Sequence, residues 1–230
     1  MIGSKMKWAN TEWYRNACWS PANRELFFAK LARARDKAQY AAIQAAYLVE
    51  SDDPTDWHGA VEILSPLFDP RIAGDEFSTV AMTYGRGLEE LGLLKEALDA
   101  YRQSMKAMRD RHQFIIICNS HYFFARCVAE AGIQALFGEA LAALNQNPAM
   151  IDGKHLSRGN HFSDLAARAL IASTCSDEDA AILAEHAFAA LDFTANDWPR
   201  VSGMSRRSAR TVRLIAALLK RDHPLAIASR

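Results

Sequence analysis

Residues 78–106 read STVAMTYGRGLEELGLLKEALDAYRQSMK, and the fold follows from this stretch. Small and apolar residues recur at helical spacing on both sides of Gly92: Gly85 and Leu88 before it, Ala97, Tyr101 and Ser104 after it. Ala97, Tyr101 and Ser104 lie four and three residues apart and so share one helix face. The stretch predicts two antiparallel helices, about 75–91 and 94–110, joined by a tight turn at Gly92.

Working outward, the same texture continues. Alanine, the best helix former, is abundant, and no Asn-Gly or Asp-Gly turn joins alternating β-branched runs. Ser20-Pro21 is a cap followed by a first-turn proline, and Leu26, Phe27 and Leu31 form a stripe behind it. A helix from about Lys37 to Glu50 is expected to bury Tyr40, Ile43, Tyr47 and Leu48. Ser51-Asp52-Asp53-Pro54 ends it, and Thr55 or Asp56 is expected to cap the next helix, which runs to about Asp69-Pro70. Further helices are expected near 113–131, 134–146, 161–174, 178–192 and 204–221. Ser176-x-x-Asp179 supplies a capping-box-like start, and 147–160, with Pro148, Gly153 and Gly159, reads as a long loop. The expected fold is all-α: about ten helices in one domain, with a cap at 1–35, helix pairs over 36–146 and C-terminal helices over 160–221.

The Ser78–Lys106 pair resembles the tetratricopeptide repeat, with Glu89 to Leu98 matching the family's turn and second-helix start; the resemblance implies that the small Gly85 lets the second helix approach closely and that Tyr101 fills the groove between them. A second copy lies forty residues on, where Ala125, Val128 and Gly132 stand for Gly85, Leu88 and Gly92, although Phe137 replaces the alanine at 97. Ala41–Phe68, with Ala60 at the second-helix alanine position, resembles a degenerate earlier copy, and 161–192 is a helix pair of the right size. The resemblance implies a short superhelix whose first helices line a concave groove. It places Thr79, Met82, Arg86 and Glu89 in that groove, with Asn119, Tyr122 and Arg126 at the equivalent positions of the second copy. Trp13-Tyr14-Arg15-Asn16, Trp19, Phe27 to Arg35 and Gln39-Tyr40 resemble the opening of bacterial helical-repeat immunity proteins, which bind and silence toxins. The same aromatics would also serve as an N-terminal cap sealing the first helix pair.

The 230 residues carry 27 basic and 27 acidic side chains with 50% hydrophobic content, which excludes wholesale disorder. No uninterrupted apolar run, Phe114–Cys118 among them, approaches the ~18–20 residues of a membrane span. No apolar block follows Met1, and Cys18, Cys118, Cys127 and Cys175 are scattered, so a reduced, cytoplasmic protein without membrane association is expected. Net charge is unevenly spread. Residues 1–40 hold eight basic and three acidic residues (net +5), 41–199 eleven and 23 (net −12), and 200–230 eight and one (net +7). Such asymmetry bears on partners rather than fold.

Catalytic signals are weak. Histidines at 58, 112, 121, 155, 161, 186 and 223 form no His-Glu-x-x-His pattern, and Gly85-Arg86-Gly87 lies inside a helix rather than after a strand. Cys118-x-x-His121 shares a helix face, but Cys127 lies about half a turn away from it, so ordinary packing is expected and no metal or other cofactor is assigned. In the terminal helix, Arg206, Arg210 and Arg213 form a stripe opposite Val212, Ile215, Leu218 and Leu219. Arginine near a helix N-terminus opposes the macrodipole, and a carboxylate from the acidic middle is its simplest compensation. Without stacking aromatics this helix does not read as a nucleic-acid binder. The expectation is a non-catalytic, partner-binding protein of the immunity type, whose acidic middle suits a basic toxin domain. The alternatives are a helical enzyme or enzyme accessory with a site near the His155–His161 loop, or a peptide-sensing repeat protein.

Overall fold

The computed structural model describes residues 12–110, 119–146, 150–151, 154–155, 158–175, 178–195 and 206–222. The fold is all-α. Where the sequence suggests one domain, the chain divides into two compact units, with the boundary after Ala107.

The first unit holds α1 (Pro21–Leu31), α2 (Lys37–Leu48), α3 (Pro54–Leu64), the single turn α4 (Pro70–Ala73), α5 (Phe77–Glu90) and most of α6 (Leu94–Asp110). Ser20 caps α1 through a bond from the Asn23 amide (3.2 Å), as its sequence predicts. The expected cap of α3 is displaced by one turn position. Asp53, not Thr55 or Asp56, accepts from the Thr55 amide (2.8 Å), because Pro54 already supplies the fixed φ of the first helical position. That helix also stops earlier than expected, at Leu64. Pro66 cannot donate to the preceding turn, so a 3-10 turn (Ser65–Leu67) and α4 replace the last stretch.

The core of this unit interleaves alanines with large side chains, among them Trp19, Phe27, Leu48, Leu64 and Phe77. On α2 the buried residues are Ala41, Ala42, Gln44, Ala45 and Leu48; of the four expected, Leu48 is buried, Tyr40 and Ile43 are half-buried and Tyr47 is exposed. On α1 only Phe27 is buried, and Leu26 faces solvent. Between α5 and α6 the reading of the sequence holds closely. A Cβ on Gly85 would lie 2.8 Å from the Tyr101 ring, Tyr101 is fully buried, and the Ser104 hydroxyl donates to the Ser78 carbonyl at 2.6 Å. Two residues on, Gly87 faces α3, where its Cβ would come within 3.0 Å of Val61.

The second unit holds α7 (Ser120–Glu130), α8 (Phe137–Asn145), α9 (Arg158–Thr174), α10 (Ala180–Ala195) and α11 (Arg206–Asp222). The expected helix start near 113 and Ser176 lie outside the described residues. Within the expected long loop, β1 (Met150–Ile151) and β2 (Lys154–His155) form a two-rung antiparallel ladder with Met150 opposite His155. Buried alanines let α9 and α10 lie close together, among them Ala166, Ala169, Ala184 and Ala187. On α11 the fully buried positions are Thr211 and Ile215, with Val212, Leu218 and Leu219 half-buried.

One local structure occurs twice. At the end of α5, Gly92 takes φ +78°, its amide donates to the Glu89 carbonyl (3.0 Å), and the Leu93 amide to Leu88 (2.9 Å). At the end of α7, Gly132 takes φ +65°, its amide donates to Ala129 (3.2 Å), and the Ile133 amide to Val128 (3.1 Å). Both are Schellman turns with an apolar residue just past the glycine, and corresponding atoms are forty residues apart in sequence.

These contacts set opposite expectations for two glycines. Gly85→Ala should lower stability by about 1–3 kcal/mol in urea unfolding, because Tyr101 has nowhere to go. Gly138→Ala, on α8 with open space around its Cβ, should raise it by about 0.5–1 kcal/mol.

Candidate partner-binding surfaces

The α5 row predicted to line a groove lies on one helix, but its members differ in what they are free to do. Arg86 is buried, and its guanidinium pairs with Glu50 at the end of α2. Glu89 accepts from the Tyr101 hydroxyl at 2.6 Å, which ties the row to α6. Thr79 and Met82 are half-buried.

The α7 row consists of Asn119, Tyr122 and Arg126, and only Asn119 is more than marginally accessible. Arg126 lies over the Phe123 ring, 5.5 Å from its centroid. Burial, reinforced by the Asp164 carboxylate on α9, pushes the Tyr122 phenol well above its ordinary range, and Arg168 partly offsets this. Asp164 is itself buried and held by both oxygens to Arg168 Nε (3.0 and 3.1 Å), whose other arm donates to Asn145 Oδ1 at 2.9 Å. Asn160 sits one turn before Asp164 on the same face of α9 and is also buried. In the basic helix, Arg210 finds its compensation in the acidic middle, reaching Glu130 at 3.4 Å while the Thr211 hydroxyl donates to the same carboxylate at 2.5 Å.

Histidines 58, 161 and 186 are exposed, whereas His112, His223, Cys118 and the side chain of His155 lie outside the described residues. Cys127 is buried. Among the described residues, no group of three or more histidine, cysteine or acidic side chains could hold a metal ion. His121 is 2% exposed, and its Nδ1 has no hydrogen-bond partner among the described residues. Burial, with the charge of Arg109 added, pulls its pKa down to about 4.

A feature the sequence reading passed over lies in the first unit. Residues before α1 form a strap held by buried polar groups. The Gln44 side-chain amide donates to the Asn16 carbonyl (2.8 Å) and accepts from the Asn16 amide (2.9 Å), and buried Asp56 accepts from the Trp19 amide (2.5 Å). Trp13, Tyr14, Tyr40 and Phe27 interlock at centroid distances of 4.7–5.5 Å, so these aromatics do seal the first helices. Just past them, α1 and α3 face each other across an open depression of about 990 Å³ floored by Trp19. The α1 wall is Pro21, Arg24, Glu25 and Phe28; the α3 wall is Thr55, His58, Gly59 and Glu62. Each wall follows the spacing i, i+3, i+4, i+7, which the sequence could have disclosed as two matched stripes. Glu62 accepts from the Trp19 indole (3.1 Å) and from Arg24 Nε (2.9 and 3.0 Å), and the Arg24 contact draws its pKa down despite partial burial.

No protein-family model, curated protein or solved structure matches the chain. No helix among the described residues is long and apolar enough to cross a membrane.

The buried His121 gives the second unit an acid-sensitive stability. The folded-state pKa lies below the unfolded value of 6.5, so the unfolded chain binds the extra proton first. His121 should leave stability unaffected above pH 6.5 and cost about 3 kcal/mol as pH falls through 4, the full difference between the two values. Urea unfolding across that window, compared with His121→Leu, should show a shallower pH dependence in the variant.

Proposed function

We propose that the chain is a non-catalytic, tetratricopeptide-like helical-repeat protein whose role is to bind another protein, acting in the cytoplasm as an immunity-type protein that neutralises a bacterial toxin. The observation that carries the repeat reading is the recurrence of one glycine-capped turn at Gly92 and again at Gly132, with the same hydrogen bonds at the same offset. Helix pairs of this kind present continuous surfaces suited to protein ligands. The net charge of −12 over residues 41–199, from eleven basic and 23 acidic residues, favours a basic partner and fast, salt-sensitive association. On α5 the accessible members of the predicted row are Thr79, Met82 and Glu89, and on α7 the accessible member is Asn119. Arg86, Tyr122 and Arg126 are buried, each within its own unit. Reversing both arginines would therefore test folding before it tested binding.

Affinity capture of the full chain from its native lysate, followed by mass spectrometry and a light-scattering mass, tests this reading. A single stoichiometric basic protein is expected, with an association rate that falls about tenfold or more when salt is raised from low to physiological. His155→Ala with His161→Ala should leave that complex unchanged. A chain that elutes alone at every salt concentration, or a turnover lost in the histidine variant, would overturn it.

A further inference from the structure

We propose that the groove between α1 and α3 receives a basic segment of a protein partner, an aliphatic side chain lying on Phe28 and Pro21 over Trp19 and the adjacent lysine or arginine pairing with Glu25. This names a docking surface for the protein-binding reading above and rests on it. The groove is kept open by one residue. A Cβ on Gly59 would lie 2.3 Å from the Trp19 ring, so only glycine at the middle of the α3 wall lets the indole lie flat beneath the cleft. Each wall extends over eight residues, roughly 10 Å of helix, a length suited to a short segment rather than one side chain.

Polar groups in the groove fall into two sets. Arg24 and Glu62 are spent on each other, and Glu62 also accepts from the indole that floors the groove. Glu25, His58 and Thr55 line the same cleft, and their side chains make no hydrogen bond or ion pair among the described residues. Because Arg24 and Glu62 cancel, Glu25 is the uncompensated charge of the groove. An incoming carboxylate would have to displace Glu62 from Arg24 and then lie beside Glu25. An incoming ammonium or guanidinium gains a charge-assisted bond to Glu25 and lays its methylene stem along the aromatic floor. Arg24 already shows that this surface accepts a cation, lying 5.4 Å from the Phe28 centroid.

The test uses the full chain labelled with nitrogen-15, following its tryptophan indole signals, with Trp19 assigned from a Trp19→Phe variant. The probe is a short amidated peptide alternating leucine and lysine; the comparison peptide has glutamate in place of lysine. The lysine peptide should move the Trp19 signal with an affinity at least about tenfold tighter than the glutamate peptide. Glu25→Lys should abolish that preference with an unchanged melting temperature, and Glu25→Gln should reduce it. Equal shifts from both peptides, no shift of the Trp19 signal, or full preference retained in Glu25→Lys would each overturn the assignment. The two readings fail separately. A captured partner that binds Glu25→Lys undiminished removes the groove and leaves the protein-binding reading standing. A lysine preference in a chain that captures no partner does the opposite.

Discussion

How closely two helices can approach is set by the smallest side chains between them, and in both units those side chains are glycine and alanine. Gly85 against Tyr101 is the sharpest case: a missing methyl group creates the slot that a fully buried aromatic occupies. Alanine lines the buried face of α2 and the interface of α9 with α10. Packing of this kind gains less apolar burial per residue than leucine-rich interfaces, but loses almost no side-chain entropy and brings many atoms into dispersion contact. Large side chains divide between the two environments: Leu26, Tyr47 and Ile182 face solvent, while Tyr101, Phe27 and Phe124 are fully buried.

Buried polar groups supply the specificity that uniform alanine faces lack. Gln44 reads both the donor and the acceptor of the Asn16 backbone, and Asp56 reads the Trp19 amide. A strap held at two such points has one register, since any slip would strand a buried amide or carboxylate without a partner. In the second unit, Asp164, Arg168 and Asn145 play a comparable part at the end of α8 and along α9.

Much of this was legible in the sequence wherever the decisive signal was local. The turn at Gly92 follows from a glycine flanked by leucines, since few other residues accept a positive φ. Its copy at Gly132 repeats the glycine at a spacing of forty residues, and α6 runs over the 94–110 that its apolar spacing predicts. Signals that depend on distant chain were not legible. Arg86 pairs with Glu50, 36 residues away, because packing of α5 brings the end of α2 within reach. The cap at Asp53 was missed for a different reason: Thr55 and Asp56 are equally good capping residues, and only the placement of Pro54 decides between the candidates.

The predicted groove rows carry a more general lesson about functional assignment. Sequence reading selects residues by type and spacing, and an arginine or tyrosine at a ligand-facing position looks the same whether it awaits a partner or already has one. Arg86 is paired with Glu50, and Tyr122 is buried beside Asp164. On α1 and α3 the reverse holds. Residues that drew no attention as a motif carry a carboxylate, an imidazole and a hydroxyl uncommitted around an aromatic floor. A polar side chain that folding leaves unused costs the protein little to keep and is free to bind something else. The ledger of satisfied and unsatisfied groups therefore separates structural from functional positions more sharply than residue type does.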